Sequence, residues 1–205
     1  MDTKSLVYSR NVVEFATVAK EYCAFVEAPT GHTRETFVHA MQKLLPLLYY
    51  KASLLPKTEP VYDERNEKFV TEEDYIQVKE RILNLLKKHD DFFEVHPPTN
   101  AADEGTSSAS LSEYLADIYQ DLKDFTMLYI EGNVDVMHDA VWECRLNFEE
   151  YWGIRTLNAT RALHHLAFSG IDLNETEEEE TDEQSEADTK DWFITRRQND
   201  LRNDL

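Results

Sequence analysis

The stretch SEYLADIYQDLKDFTML, Ser112–Leu128, decides the fold. Leu115, Ile118, Leu122 and Phe125 recur at spacings of three and four, the period of an amphipathic helix rather than a strand. Leu111 and Tyr129 extend the stripe, so the helix is predicted over 111–131. Ser110, followed three residues on by Glu113, reads as the capping box that starts it. The same helix carries Glu113, Asp117, Asp121 and Asp124. At 100° per residue these acids fall at roughly 200° to 280° from the apolar stripe, with only Asp121 near its edge. The preferred reading is a solvated face, on which like charges at i, i+4 repel by tenths of a kcal/mol. The alternative is a metal site, with Asp117, Asp121 and Asp124 drawn together around Mg²⁺.

The same period extends to both sides of this helix. Tyr8, Val12, Phe15, Ala19, Tyr22 and Val26 predict a first helix over about 5–27, stopped by APTG at 28–31. Thr33 caps a second helix reaching about 54, which Pro46 should kink or split. A loop, PKTEPVYDERNEKFV, follows, and its Val61, Tyr62, Phe69 and Val70 predict that it packs on the body. Thr71 and Asp74 form a capping box for a third helix, whose stripe is Tyr75, Val78, Ile82, Leu85 and Leu86. A second long loop, HDDFFEVHPPTNAADEGTSSAS, shows no strand pattern. A fifth helix begins near 134 with Met137, Val141, Cys144, Phe148 and Tyr151 inward. Gly153 either breaks it or passes it on, nearly collinear, to a sixth helix ending at Phe168. The expected fold class is all-α, an antiparallel helical bundle of five to six helices.

Composition narrows the function. The formal net charge is −20. Residues 172–190 hold ten acids and one Lys, and 191–205 balance, which leaves −11 for 1–171. Such a body repels phosphate backbones and anionic lipid, so neither nucleic acid nor a membrane is expected as partner. The N-terminus shows no secretory pattern and no segment approaches ~18 apolar residues, so a cytoplasmic location is expected. Cys23 and Cys144 lie on apolar stripes and read as core thiols.

Beyond Gly170 the composition changes. Residues 171–190 read as an acidic, disordered linker, because after Leu173 they lack the large apolar side chains that offset ordering entropy. Residues 191–205 then carry Trp192, Phe193 and Ile194 with Arg196 and Arg197, a combination a solubility tail does not need. They read as a short docking segment, either for the protein's own body (1–170) or for a protein partner.

Four co-linear segments, LLPLLYYKASLLP (44–56), KFVTEEDY (68–75), LADIYQDLKDF (115–125) and NFEEYWGIRTLNATRALHHL (147–166), resemble a bacterial family of uncharacterised proteins classed as domain of unknown function 5063. The resemblance spans about residues 6–168. It implies an all-helical, soluble bacterial protein and brings no reaction or catalytic residues with it.

Candidate chemistry is sparse. Di-metal helical enzymes direct their acids inward, often as Glu-x-x-His, and all-helical nucleotide pyrophosphatases pair two acidic helices. Asp121-x-x-Asp124 is the nearest approach, without a second motif. His138, Trp142, Arg145 and Glu149 line one side of the fifth helix. Trp142 and Arg145 are candidate partner anchors, or else a boundary row with Arg145 paired to Glu149. If the last helix continues past Gly153, Arg155 enters the core stripe and must find an acid, with Asp121 the expected mate. His164 and His165 read as boundary residues. No zinc, thiol-redox or phosphate-loop motif occurs. The preferred function is a non-enzymatic protein-interaction module needing no cofactor. The alternative is a Mg²⁺-dependent phosphohydrolase on the acidic face, and a pocket among the tyrosines stays open as a third.

Overall fold

The computed structural model describes residues 3–28, 31–62, 66–96, 105–130 and 132–174. The chain divides into two compact units, Met1–Ile171 and Asp172–Leu205. Trp192, Phe193, Ile194, Arg196 and Arg197 lie outside the described residues, as does most of the acidic linker.

Among the described residues the first unit is all-α apart from one hairpin. Its helices are α1 (Thr3–Val7), α2 (Arg10–Glu27), α3 (Arg34–Ser53), α4 (Glu72–Leu86), α5 (Leu111–Ile130), α6 (Val134–Asn147) and α7 (Gly153–Phe168). The expected first helix is broken, because Ser9 adopts an extended conformation between α1 and α2. Pro46 does not split α3, which runs unbroken around it. The proline sits on the exposed side, where water can serve the carbonyl that loses its donor. Thr33 caps α3 by accepting from the Thr36 amide, and Thr71 and Asp74 form the reciprocal box at α4.

α5 is the axis of the unit and touches α2, α4, α6 and α7. Leu111, Leu115, Ile118 and Leu122 are wholly buried, each contributing roughly 1.5–3 kcal/mol by leaving water. The Phe125 ring meets Phe15 with centroids 5.1 Å apart. A surface helix has one core direction, but an axial one has several. Ser112, Tyr114, Asp117, Tyr119, Asp124 and Thr126 are therefore buried as well, which overturns the solvated acidic face.

The absence of strands is also corrected. β1 (Asp91–Val95) and β2 (Thr106–Ser110) pair antiparallel, with Asp91 opposite Ser110 and Phe92 opposite Ala109. Phe92 packs edge-on against Tyr114 with centroids 5.4 Å apart. The hairpin delivers Asp90 to the start of α5. Asp90 Oδ1 accepts the Ser112 amide at 2.7 Å, and Oδ2 accepts the Ser110 and Ser112 hydroxyls at 2.6 and 2.9 Å. The Asp90 carbonyl accepts the Leu111 amide at 2.9 Å. Of the expected Ser110–Glu113 box only one half forms, the Glu113 amide donating to Ser110 Oγ at 3.3 Å. The Glu113 carboxylate lies 3.9 Å from Lys79 instead. The acid at this helix start comes from a distant segment.

Between α6 and α7 the chain makes one π-helical turn, Phe148–Trp152, so the two helices join through Gly153 without a break. A Cβ on Gly153 would sit 2.4 Å from the Phe148 carbonyl oxygen and 3.0 Å from its ring. Gly153→Ala should therefore destabilise by about 1–3 kcal/mol in thermal unfolding, through overpacking. The ordinary helix preference would make alanine the better residue by up to ~1 kcal/mol, so the sign of the change is diagnostic.

Candidate functional site

The acids of α5 do not converge on one point. They serve several neighbouring elements. Asp117 Oδ1 accepts the Tyr75 hydroxyl of α4 at 2.9 Å. Its Oδ2 accepts the Tyr151 hydroxyl at 3.0 Å and Arg155 Nε of α7 at 2.7 Å. The guanidinium also lies over the Tyr151 and Tyr114 rings, 4.0 and 4.9 Å from their centroids. Arg155 does enter the interior and find an acid, but that acid is Asp117 and not Asp121. Burial, then the Asp117 charge, pushes the Tyr75 and Tyr151 phenols up, so both remain donors to the carboxylate.

Asp124 works on backbone. Its Oδ1 accepts the consecutive amides of Phe69 and Val70 at 2.7 and 3.0 Å. Asp139 of α6, 2% exposed, does the same further up the loop, accepting the Val61 and Tyr62 amides at 2.6 and 2.9 Å. Asn66 bridges between them, donating to the Asp139 carbonyl and to Glu143 Oε2 at 3.1 and 3.0 Å. The loop before α4 thus packs on the body as expected, but its hold is different: Val61 and Tyr62 are exposed. Carboxylates on α5 and α6 grip its amides, and each such charge-assisted bond is stronger than a neutral one.

Where this strap crosses α5 and α6 it walls a cleft of about 640 Å³, lined among others by Tyr62, Lys68, Asp121, Trp142, Asn147 and Tyr151. Lys68 lies 3.1 Å from Glu143 and 3.8 Å from Asp124. Asp121 accepts one hydrogen bond, from Asn147 Nδ2 at 2.6 Å. Burial pushes its carboxyl up to about 6, Asn147 and Lys68 oppose the shift, and Asp124 and Glu143 add to it. The folded protein therefore holds this proton more tightly than the unfolded chain does. The stability so contributed is full at pH below the ordinary aspartate range and is lost as pH rises through about 6. Asp121→Asn mimics the protonated form. It should match the wild type near pH 4 and be more stable above pH 6, by roughly 1–2 kcal/mol once partial solvation is allowed for. Urea titrations at several pH values read this directly.

Among the described residues, no group of three His, Cys, Asp or Glu side chains is placed to hold a metal ion. The Asp117, Asp121 and Asp124 triplet belongs to different bonds and does not form a ligand set. Trp142, a candidate anchor, lines the cleft. Arg145 does not: it donates to the Leu55 carbonyl and pairs with Glu149 at 2.5 Å, as the boundary reading had it. His138 is buried, with Nδ1 3.2 Å from Asp139. Cys23 and Cys144 are buried core thiols; burial pushes Cys23 up to about 12 and Cys144 up as well. Neither offers a thiolate at neutral pH. Sequence singled out Tyr62 only as a loop residue packing on the body, and pointed to neither Lys68 nor Asn147 as site residues.

The architecture is thus a helical bundle braced by polar side chains, with an open acidic-aromatic cleft. Residues 6–169 match the family described as domain of unknown function (DUF5063), and the chain belongs to that family. It is similar to protein BF1032 from Bacteroides fragilis, known from a crystal structure, at 40% identity and a TM-score of 0.72, over 81% of this chain and 98% of that one. No curated protein matches the chain. Among the described residues no helix is long and apolar enough to cross a membrane.

Proposed function

We propose that this protein is a non-enzymatic association module of the cytoplasm, whose cleft receives a cationic side chain of a protein partner. The observation that carries the reading is Asp121. It is half-buried in a cleft beside Trp142, with a single hydrogen bond among the described residues. A Lys or Arg entering there restores to the carboxylate what burial took away, while Trp142, Tyr62 and Tyr151 supply faces for cation–π contact. Asp117 and Asp124, which a hydrolytic reading would enlist, already serve as acceptors for the fold. The Trp192–Arg197 segment is proposed as a second recognition element, presented beyond the acidic linker.

The test is affinity capture from native lysate with immobilised full-length protein, with Trp142→Ala and Asp121→Asn variants, and with a 1–170 truncation. A defined protein held by wild type and lost with Trp142→Ala supports the cleft, and loss with the truncation supports the tail. Identical background recoveries from all four contradict the proposal. So does heat on titrating Mg²⁺ or Mn²⁺ into the wild type that Asp121→Asn abolishes, which would favour the phosphohydrolase.

A further inference from the structure

α3 and α7 pack side by side and antiparallel, with His39 against Phe168 at one end and Tyr49 against Phe148 at the other, ring centroids 6.3 and 5.1 Å apart. Their outer surface carries several exposed apolar side chains. Leu47 and Tyr50 on α3 are 44% and 56% exposed, and Ile154, Leu157 and Phe168 on α7 are 57%, 44% and 62% exposed. On α7 these recur at helical spacings, so they form a strip about 21 Å long at 1.5 Å per residue. Arg161, His164 and His165 interrupt it between Leu157 and Phe168, so exposed apolar and basic side chains share this face, a mixture suited to an interaction surface.

The charge beside it is equally distinctive. Residues 37–53 and 153–168 contain no carboxylate, in a chain of net charge −20. Lys51 is tied to Glu14 at 2.6 Å and Arg155 to Asp117 at 2.7 Å. Lys43, Arg161, His164 and His165 are exposed along the two helices, Arg161 also donating to the Phe93 carbonyl of β1. Within these two spans the exposed apolar residues are therefore accompanied by basic side chains without acids, and the nearest carboxylates before α7 are Glu149 and Glu150 of the π-helical turn.

We infer that the α3–α7 face docks an acidic, apolar-striped helical segment of a partner protein. Its apolar residues, recurring at helical spacing over about four turns, lie on Leu47, Ile154, Leu157 and Phe168, and its carboxylates meet Lys43 and Arg161. A second copy of the chain fits the face poorly, because an isologous contact would set one basic helix pair without acids in 37–53 and 153–168 against another. Nucleic acid and anionic membrane present extended negative charge to the whole protein, which its −20 charge repels. A short peptide concentrates its acids on the basic strip alone. The inference rests on the association reading above but uses a surface separate from the Asp121 cleft.

The test is fluorescence anisotropy with full-length protein and a labelled synthetic peptide of about four helical turns, carrying Leu at the stripe positions and Glu elsewhere. Binding is expected, weakening with salt. It should fall at least 10-fold in Leu157→Asp and in Lys43→Glu/Arg161→Glu, and stay unchanged in Trp142→Ala. The substituted side chains are exposed, and circular dichroism verifies that each variant folds. A peptide with Lys in place of Glu should not bind. Absent binding, binding indifferent to these substitutions, or preferential binding to phosphatidylserine vesicles or duplex DNA overturns the inference. So does self-association in sedimentation that Leu157→Asp abolishes. If peptide binding fails while Trp142-dependent capture stands, only this face is withdrawn; if both fail, the association reading goes too.

Discussion

Asp117→Ala is expected to lower stability by about 3–5 kcal/mol in urea unfolding, because removing one partner of a buried charge pair strands the other. Arg155 would lose its carboxylate while held between the Tyr114 and Tyr151 rings, and the Tyr75 and Tyr151 hydroxyls would lose their acceptor. The Arg155 side chain is 27% exposed, so water recovers part of its solvation, and the lower end of the range is expected. Asp117→Asn, which keeps the shape and one acceptor, should cost roughly half as much. A circular-dichroism urea series on the three proteins settles the order. An alanine variant as stable as wild type would mean that Asp117 braces nothing.

The second large effect is expected at Asp90, where alanine should cost about 2–4 kcal/mol. One carboxylate there satisfies the Ser112 amide and two serine hydroxyls at the start of α5, and Asp90 itself is 3% exposed. The negative charge also faces the positive end of a long helix, which adds to the loss when it is removed. Hydrogen exchange locates the damage. The Ser112 amide and the β1–β2 amides should exchange faster in Asp90→Ala, while the α3–α7 pair keeps its protection. Asp90→Asn should recover part of the loss, since an amide oxygen can still accept from Ser112.

The residues that made the bundle legible were those repeating at helical spacing. Leu111, Leu115, Ile118, Leu122 and Phe125 marked α5, and Thr33 and the Thr71–Asp74 box marked two helix starts. The acidic row of the same helix was misread because a helical wheel carries one core direction. α5 has neighbours on several sides, and the wet side of the wheel became another interior. Asp124 and Asp139 bind backbone amides of a loop, and an amide has no side-chain signature to search for. Arg155 announced that it needed an acid, yet its mate lay one turn away from Asp121. The register between two helices depends on packing that no single segment encodes. β2, with the sequence TSSAS, shows no apolar alternation, and its pairing depends on DFFEV across the hairpin.

A double-mutant cycle on Asp117→Ala and Arg155→Ala, read by urea unfolding at neutral pH, tests most directly whether the acids of α5 act as interior braces. The expected coupling is about 2 kcal/mol or more, with the double variant much closer to each single variant than their sum requires. Losses that add to within about 0.5 kcal/mol would place the Asp117 carboxylate in water, independent of Arg155, and would contradict the account.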